Sequence, residues 1–264
     1  MHINTLPVNT NSNKPQINII ESKSEPLIKL QNVTKAYTTA LGEFLALKSV
    51  TSNIYPDEFL CIVGKSGAGK TTLLNMITGV DSISSGNVLV NGVSVHEMSE
   101  DQLALWRGRN LGIIYQSFEL MPMLTLLENV MLPMDFCGLY HPRRSQERAR
   151  ELLRMVELED HINKLPNAIS GGQQQRVAIA RALANDPPVI IADEPTGRLD
   201  STTAETILEI FEQLVDDGKT IVMVTHDATA AMQATRVLEI SDGEIVGETD
   251  QSAMLDDNST SKGS

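Results

Sequence analysis

The stretch GKSGAGKTT, Gly64 to Thr72, follows the apolar run Phe59–Val63 and precedes TLLNMITGV. It fits the spacing G-x-x-x-x-G-K-[ST] in the strand–loop–helix setting which that spacing requires. Gly64, Gly67 and Gly69 let the backbone curl so that consecutive N–H groups of the loop, which also contains Lys65, Ser66 and Ala68, point inward at a β-phosphate. The Lys70 ammonium is expected to reach the β- and γ-phosphates, the Thr71 hydroxyl to ligate Mg²⁺, and Thr72 to assist at the α-phosphate. A glycine-rich turn without function is the competing reading. The flanking strand and helix argue against it.

VIIADEP, from Val189 to Pro195, supplies a companion. Four apolar residues lead to two acids at the carboxyl end of a buried strand. Asp193 is placed to hold Mg²⁺ through water, and Glu194 to polarise a water for in-line attack on the γ-phosphate. Alone, two acids at a strand end could merely face solvent; beside a phosphate loop they carry weight.

Working outward, PVIIADEP, EFLCIVG and TIVMVTHD read as buried central strands, whereas IKLQNVTKAY (Ile28–Tyr37) and GNVLVNG (Gly86–Gly92) alternate and look antiparallel. The alternation of strands with helical stretches predicts an α/β fold with a largely parallel sheet. From Phe118 to Pro166 the texture changes to Leu, Met, Glu and Arg, with an amphipathic helix over Arg143–Glu157, so a helical subdomain of about residues 118–184 is expected as an insertion. Residues 1–26 read as a flexible arm and residues 249–264 as a disordered tail, leaving 27–248 as the folded unit.

ISGGQQQRVAIARAL, Ile169 to Leu183, poses a question of its own. Ser170 looks like an N-cap for a core-packed helix, yet Gly171 and Gly172 each weaken a helix start by roughly 0.5–1 kcal/mol relative to Ala. Bare N–H groups at a helix N-terminus form an anion site.

The 264 residues carry a formal net charge of −13, which disfavours nucleic acid and anionic lipid as direct partners. No run approaches the roughly 20 apolar residues that span a bilayer, the N-terminus lacks a secretory-signal pattern, and Cys61 and Cys137 are too few for a disulfide framework. Work at a membrane would therefore proceed by docking on another protein.

The order phosphate loop, Gln116 in IIYQSFELMP, ISGGQ, the acidic pair, GRLD ending at Asp200, and His226 at the end of TIVMVTH resembles the nucleotide-binding domain of ABC transporters over roughly residues 27–248. That resemblance implies a P-loop ABC ATPase core: a mixed, largely parallel sheet with helices, an antiparallel β subdomain and an inserted helical subdomain. It implies that Tyr37 stacks on adenine, a contact of about 1–3 kcal/mol, that Gln116 senses Mg²⁺, and that His226 acts at the γ-phosphate. Catalysis would rest on Glu194, His226 and Lys70; the metal on Thr71, Gln116 and Asp193. Ser170, Gly171 and Gly172, supported by Gln173, would face the γ-phosphate of a second copy, with Asp200 linking the two sites, so that two chains enclose two ATP molecules head to tail.

ADEPTGRLDS, YQSFELMP and the insertion after Tyr37 are similar to the lipoprotein-release, macrolide-export and cell-division branch, which pairs with an integral-membrane permease. Arg198 stands where that branch usually has Asn, and Ile169 where Leu is commonest. Phe118, Glu119, Met121 and Leu124 are expected at the docking groove. The resemblance thus implies an ATPase subunit of export or mechanotransmission type, peripheral on the cytoplasmic face of the inner or plasma membrane. The alternative is a regulatory ATPase that switches an envelope enzyme through a membrane partner without transport. A soluble ATPase of DNA repair or translation fits poorly, because the chain has one cassette, no heptads and a strongly acidic balance.

Overall fold

The computed structural model describes residues 25–40 and 42–251; most of the expected N-terminal arm, and the expected tail beyond Gln251, lie outside them. Among the described residues, ten strands form two sheets. In the first, β2 (Gly42–Ile54), β1 (Ile28–Thr39), β4 (Ser85–Val90) and β5 (Val93–Ser94) lie in that order, and every pairing is antiparallel. In the second the order is β10 (Glu244–Asp250), β9 (Arg236–Ser241), β3 (Phe59–Val63), β8 (Thr220–Thr225), β7 (Val189–Asp193) and β6 (Leu111–Ile114). Here β9 to β6 run parallel and β10 is an antiparallel edge.

The parallel strands are apolar along their length because both faces are covered. In β3, Leu60 and Ile62 join one core with Val189, Ile191, Val222 and Val224, under the antiparallel sheet and α1 (Lys70–Thr78). Phe59 and Cys61 face the other core with Ile190, Ala192, Ile221 and Met223. That second core also receives α3 (Leu126–Phe136), α4 (Pro142–Met155), α5 (Gly171–Ala182) and α6 (Ser201–Asp216). Phe59 and Phe211 meet edge to face there, centroids 6.1 Å apart. Burial pushes the Cys61 thiol up to about 12, so it behaves as the small core hydrophobe its neighbours suggest.

Helix starts are set locally. Ser99 before α2 (Glu100–Asn110), Thr125 before α3 and Ser170 before α5 each form a reciprocal capping box with Gln102, Glu128 and Gln173. Asp200 caps α6 by accepting from the Thr203 N–H. The helix expected over Arg143–Glu157 starts at Pro142 and ends at Met155, where Val156 caps it and Glu157 turns to a φ of 60°.

One boundary is corrected. The tail expected from residue 249 begins too early, since β10 continues through Asp250. Thr249 pairs with Val237, Asp250 with Arg236, and the Gln251 N–H donates to the Thr235 carbonyl. The polar composition of this segment suits an edge strand, whose outer face meets solvent.

Candidate functional site

The carboxyl ends of β3, β7 and β8 deliver the phosphate loop, the acidic pair and His226 to one end of the parallel sheet, where open α/β folds place their ligands. A cavity of 740 Å³ opens there. Among its lining residues are Tyr37, Ser66, Gly67, Gly69, Lys70, Thr71, Thr72, Gln116, Asp193, Glu194 and His226, all anticipated from sequence. Phe44 and Ala46, from β2, also line it and were not anticipated. Their signal is faint: Phe44 lies directly across the ladder from Tyr37, a register that only the folded hairpin reveals.

The glycines of the loop serve different ends. Gly67 and Gly69 have φ of 81° and 106°, the left-handed region where a side chain is strained. Gly64 does not curl the loop; it is small because a Cβ there would drive into the Ile240 carbonyl of β9. Ala68 also departs from the expected cradle. Its N–H is bonded to the Lys65 carbonyl at 3.1 Å, and its own carbonyl accepts from Gly243 at 3.0 Å. It ties the loop to the sheet.

Lys70 is nearly buried, its ammonium 2.8 Å from the Gly64 carbonyl and 3.8 Å from Glu194 Oε1. The Thr71 hydroxyl donates to Asp193 Oδ1 at 3.2 Å. Burial raises the Asp193 pKa, with the Thr71 bond and the Lys70 charge opposing and the Glu194 charge adding to it. A hydroxyl and a carboxylate side by side on a cavity wall are the hard oxygen donors Mg²⁺ takes when phosphates and water complete its shell. The residues therefore fit a Mg²⁺–nucleotide, and no separate cluster of three acids or imidazoles is required.

Glu194 sits at the strand end with a φ of 47°, a conformation that costs about 1–3 kcal/mol for a non-glycine residue. The turn aims its carboxylate at His226, whose Nδ1 lies 2.8 Å from Glu194 Oε2, with the His226 backbone N–H at 3.3 Å from the same oxygen. One carboxylate oxygen is thus held by His226, and the other faces Lys70.

Gln116 reaches the cavity from the loop after β6, which then enters two left-handed residues, Phe118 and Glu119. Arg181, near the C-terminus of α5, donates to both of their carbonyls, fastening the helical subdomain to the Gln116 loop. Neither the strain nor this strap is legible from composition.

Ser170, Gly171, Gly172, Gln173 and Asp200 do not line the cavity of their own chain. Gly171 has room for a Cβ, which would meet only the Phe118 ring, at an ordinary contact distance of 3.7 Å. Gly172 does not: a Cβ would approach Thr203 Cγ2 of α6 inside the 3.0 Å limit. Close helix packing, which the sequence reading did not invoke, is thus a sufficient reason for the second glycine. A second hollow of 560 Å³, mostly apolar, lies between α2, β6 and α3. Of the four residues expected at a docking groove, Glu119 and Met121 line it; Phe118 and Leu124 do not. Leu105, Tyr115 and Phe136 do so without having been anticipated.

Residues 47–197 match the ABC transporter family. An uncharacterized ABC transporter ATP-binding protein of Methanocaldococcus jannaschii, MJ0796, is 47% identical over 223 residues, covering 83% of this chain and 95% of that protein. A relative in Thermotoga maritima with the same description is 46% identical over 221 residues, 84% of this chain and 94% of its own. The macrolide export ATP-binding/permease protein MacB of Shigella flexneri is 45% identical over 84% of this chain, which spans only 34% of that longer protein. A solved dimeric structure of the MJ0796 cassette in a post-hydrolysis state, bound to ADP and Pi, superposes with a TM-score of 0.79 at 45% identity, covering 84% of this chain and 98% of that one. With its site and its relatives in agreement, the chain belongs to the ABC transporter family, as one of its ATP-binding cassettes.

Proposed function

We propose that this chain is the ATP-hydrolysing subunit of an ABC transporter, working as a head-to-tail pair that drives a membrane permease. The observation that carries this reading is the division of the motifs. Six of them arise in separate segments; four converge on one cavity, while Ser170–Gln173 and Asp200 stand outside it. A second copy would bring its helix start to the missing side of the cavity. The dimeric structure of the relative with ADP and Pi supports such a pairing.

In this reading Gly67, Gly69 and Ser66 frame the phosphates, and Lys70 leaves the loop carbonyls for the phosphate oxygens. Thr71 and Asp193, with Gln116, would hold Mg²⁺, which would supply charge neutralisation of the phosphates when bound. Glu194 takes a proton from the attacking water. His226, donating from Nδ1, fixes which carboxylate oxygen remains free to do so. The products are ADP and inorganic phosphate. Tyr37 and Phe44 form the apolar end of the cavity, suited to a nucleobase.

The unit that carries this chemistry runs from residue 27 into β10, with residues of about 118–184 as its helical subdomain. The apolar hollow between α2, β6 and α3 fits a permease element, and the chain then lies on the cytoplasmic face of the membrane. The ATP-binding/permease composition of MacB supports an export-type partner. Arg198 is exposed, and nothing in the structure explains its charge.

The test is Glu194→Gln with the permease-free chain. ATP binding should persist, turnover should fall about 10²-fold or more, and a nucleotide-dependent dimer should accumulate in sedimentation. Parental turnover in that variant would remove Glu194 from its role.

A further inference from the structure

Lys35, Tyr37 and Asp81 form a closed cluster at the rim of the cavity, joining β1 to the turn that follows α1. The Tyr37 hydroxyl donates to Asp81 Oδ2 at 2.9 Å. The Lys35 ammonium donates to Asp81 Oδ1 at 2.7 Å and to the Ser82 carbonyl at 2.6 Å. The same ammonium stands 4.8 Å from the centroid of the Tyr37 ring. Lys35 is only 7% exposed, so its charge is matched by this one carboxylate more than by water.

Each contact removes a different freedom of the ring. The hydroxyl bond fixes where the ring tip points, and the ammonium covers one π-face. The opposite face is left for a ligand: Tyr37 lines the cavity and is 36% exposed. Asp81 is itself well anchored. Burial raises its pKa, but the bonds from Lys35, Tyr37 and the Ser82 N–H prevail and hold it below the usual carboxylate range. Burial, then the bond to Asp81, raises the Tyr37 pKa, so at neutral pH the donor proton stays in place.

We infer that Asp81, together with Lys35, is a positioning residue for the nucleobase: it holds Tyr37 as a preformed, one-sided platform. A ring already ordered does not lose its freedom on binding, whereas a released ring must be ordered each time. Asp81 therefore acts on the base-bearing part of the ligand and leaves the triphosphate part alone. The inference rests on the reading of the cavity as an ATP site.

The experiment is equilibrium binding of Mg²⁺-ATP and of inorganic tripolyphosphate, which has no base, to the full chain. The variants are Asp81→Ala, Asp81→Asn, Tyr37→Phe and the Tyr37→Phe/Asp81→Ala pair. In Asp81→Ala the Kd for ATP should rise about fivefold, the lower end of what a base–aromatic stack contributes, while the Kd for tripolyphosphate stays within about twofold. Asp81→Asn is nearly isosteric and retains an oxygen acceptor for Tyr37. It should lose less, and it guards against misfolding of the Ala variant. The losses of Asp81→Ala and Tyr37→Phe should be less than additive, because both cut the same bond. Equal losses for ATP and tripolyphosphate would assign Asp81 to supporting α1 and overturn the inference. So would unchanged ATP affinity in both Asp81 variants, or fully additive losses. A parent chain that bound neither ligand would instead overturn the reading of the cavity.

Discussion

Gly172→Ala separates two reasons for one glycine. The added Cβ would lie within 3.0 Å of Thr203 Cγ2, where ordinary contact begins at 3.4 Å. Thr203 cannot simply rotate away, because its hydroxyl donates to Asp200 Oδ2 at 2.8 Å and its N–H to Oδ1 at 3.0 Å, the bonds that cap α6. Overpacking of this kind costs about 1–3 kcal/mol. Against it stands a gain of about 0.5–1 kcal/mol from replacing glycine in a helix. The net is a loss of about 1 kcal/mol, or a fall of about 2–4 °C in Tm for a domain of this size. Thermal unfolding followed by circular dichroism, without nucleotide, is the assay. Thr203→Ser in the same chain removes Cγ2, keeps the Asp200 cap and should restore the Tm. Gly171→Ala, whose Cβ meets only the Phe118 ring at an ordinary van der Waals distance of 3.7 Å, should leave Tm level or higher. ATP turnover then divides the cases. If bare backbone at both positions is also needed by a phosphate from the second copy, the Gly172→Ala/Thr203→Ser pair stays slow although its stability has recovered. A Tm unchanged in Gly172→Ala, or not restored by Thr203→Ser, would refute the packing argument.

Two further outcomes follow from buried charges. Lys70→Ala should weaken ATP binding about tenfold or more in calorimetry, the magnitude of a lost charge-assisted bond in a dry site; unchanged affinity would contradict the cradle. Arg236 is the partner of Glu58 beneath β9 and also bonds Glu248 and the Asn53 carbonyl. Arg236→Met should destabilise the fold by about 3–5 kcal/mol at neutral pH, because Glu58 is left charged and unpaired. Burial already raises the Glu58 pKa against the Tyr55 bond and the Arg236 charge. Losing the cation raises it further. A raised carboxyl pKa means the folded state takes up a proton that the unfolded chain has already released. The deficit relative to the parent should therefore be greatest near pH 8 and shrink as pH falls through the range above 4.5, where Glu58 is neutralised. Urea midpoints at several pH values read this directly, and a deficit independent of pH would assign the loss to packing alone.

What the sequence discloses here is whatever local chemistry dictates. The phosphate loop must be glycine-rich, the parallel strands must be apolar on both faces, and a Ser before a core-packed run suits a helix N-cap. Hence GKSGAGKTT, VIIADEP and the start of α5 could be placed from composition and spacing. What stayed hidden depends on pairs far apart in the chain. Phe44 enters the cavity only because the β1–β2 register sets it opposite Tyr37. Arg181 matters only because α5 ends beside the Phe118 and Glu119 carbonyls. The left-handed Glu194 has no signature in DEP, since strain is a property of what surrounds a residue and not of its type.

The glycines show why the two kinds of information must be weighed together. A single motif letter hides two physical demands. Gly67 and Gly69 answer to the backbone's own φ, and a spacing rule finds them for the right reason. Gly64 and Gly172 answer to a neighbour over a hundred residues away, Ile240, and one on the next helix, Thr203. For the second pair, ligand approach and internal packing lead to the same residue, so the motif alone cannot assign the cause. Complementary shaving of the neighbour can. Where removing a methyl across the contact restores stability, packing required the glycine; where activity remains lost after that repair, the ligand required it as well.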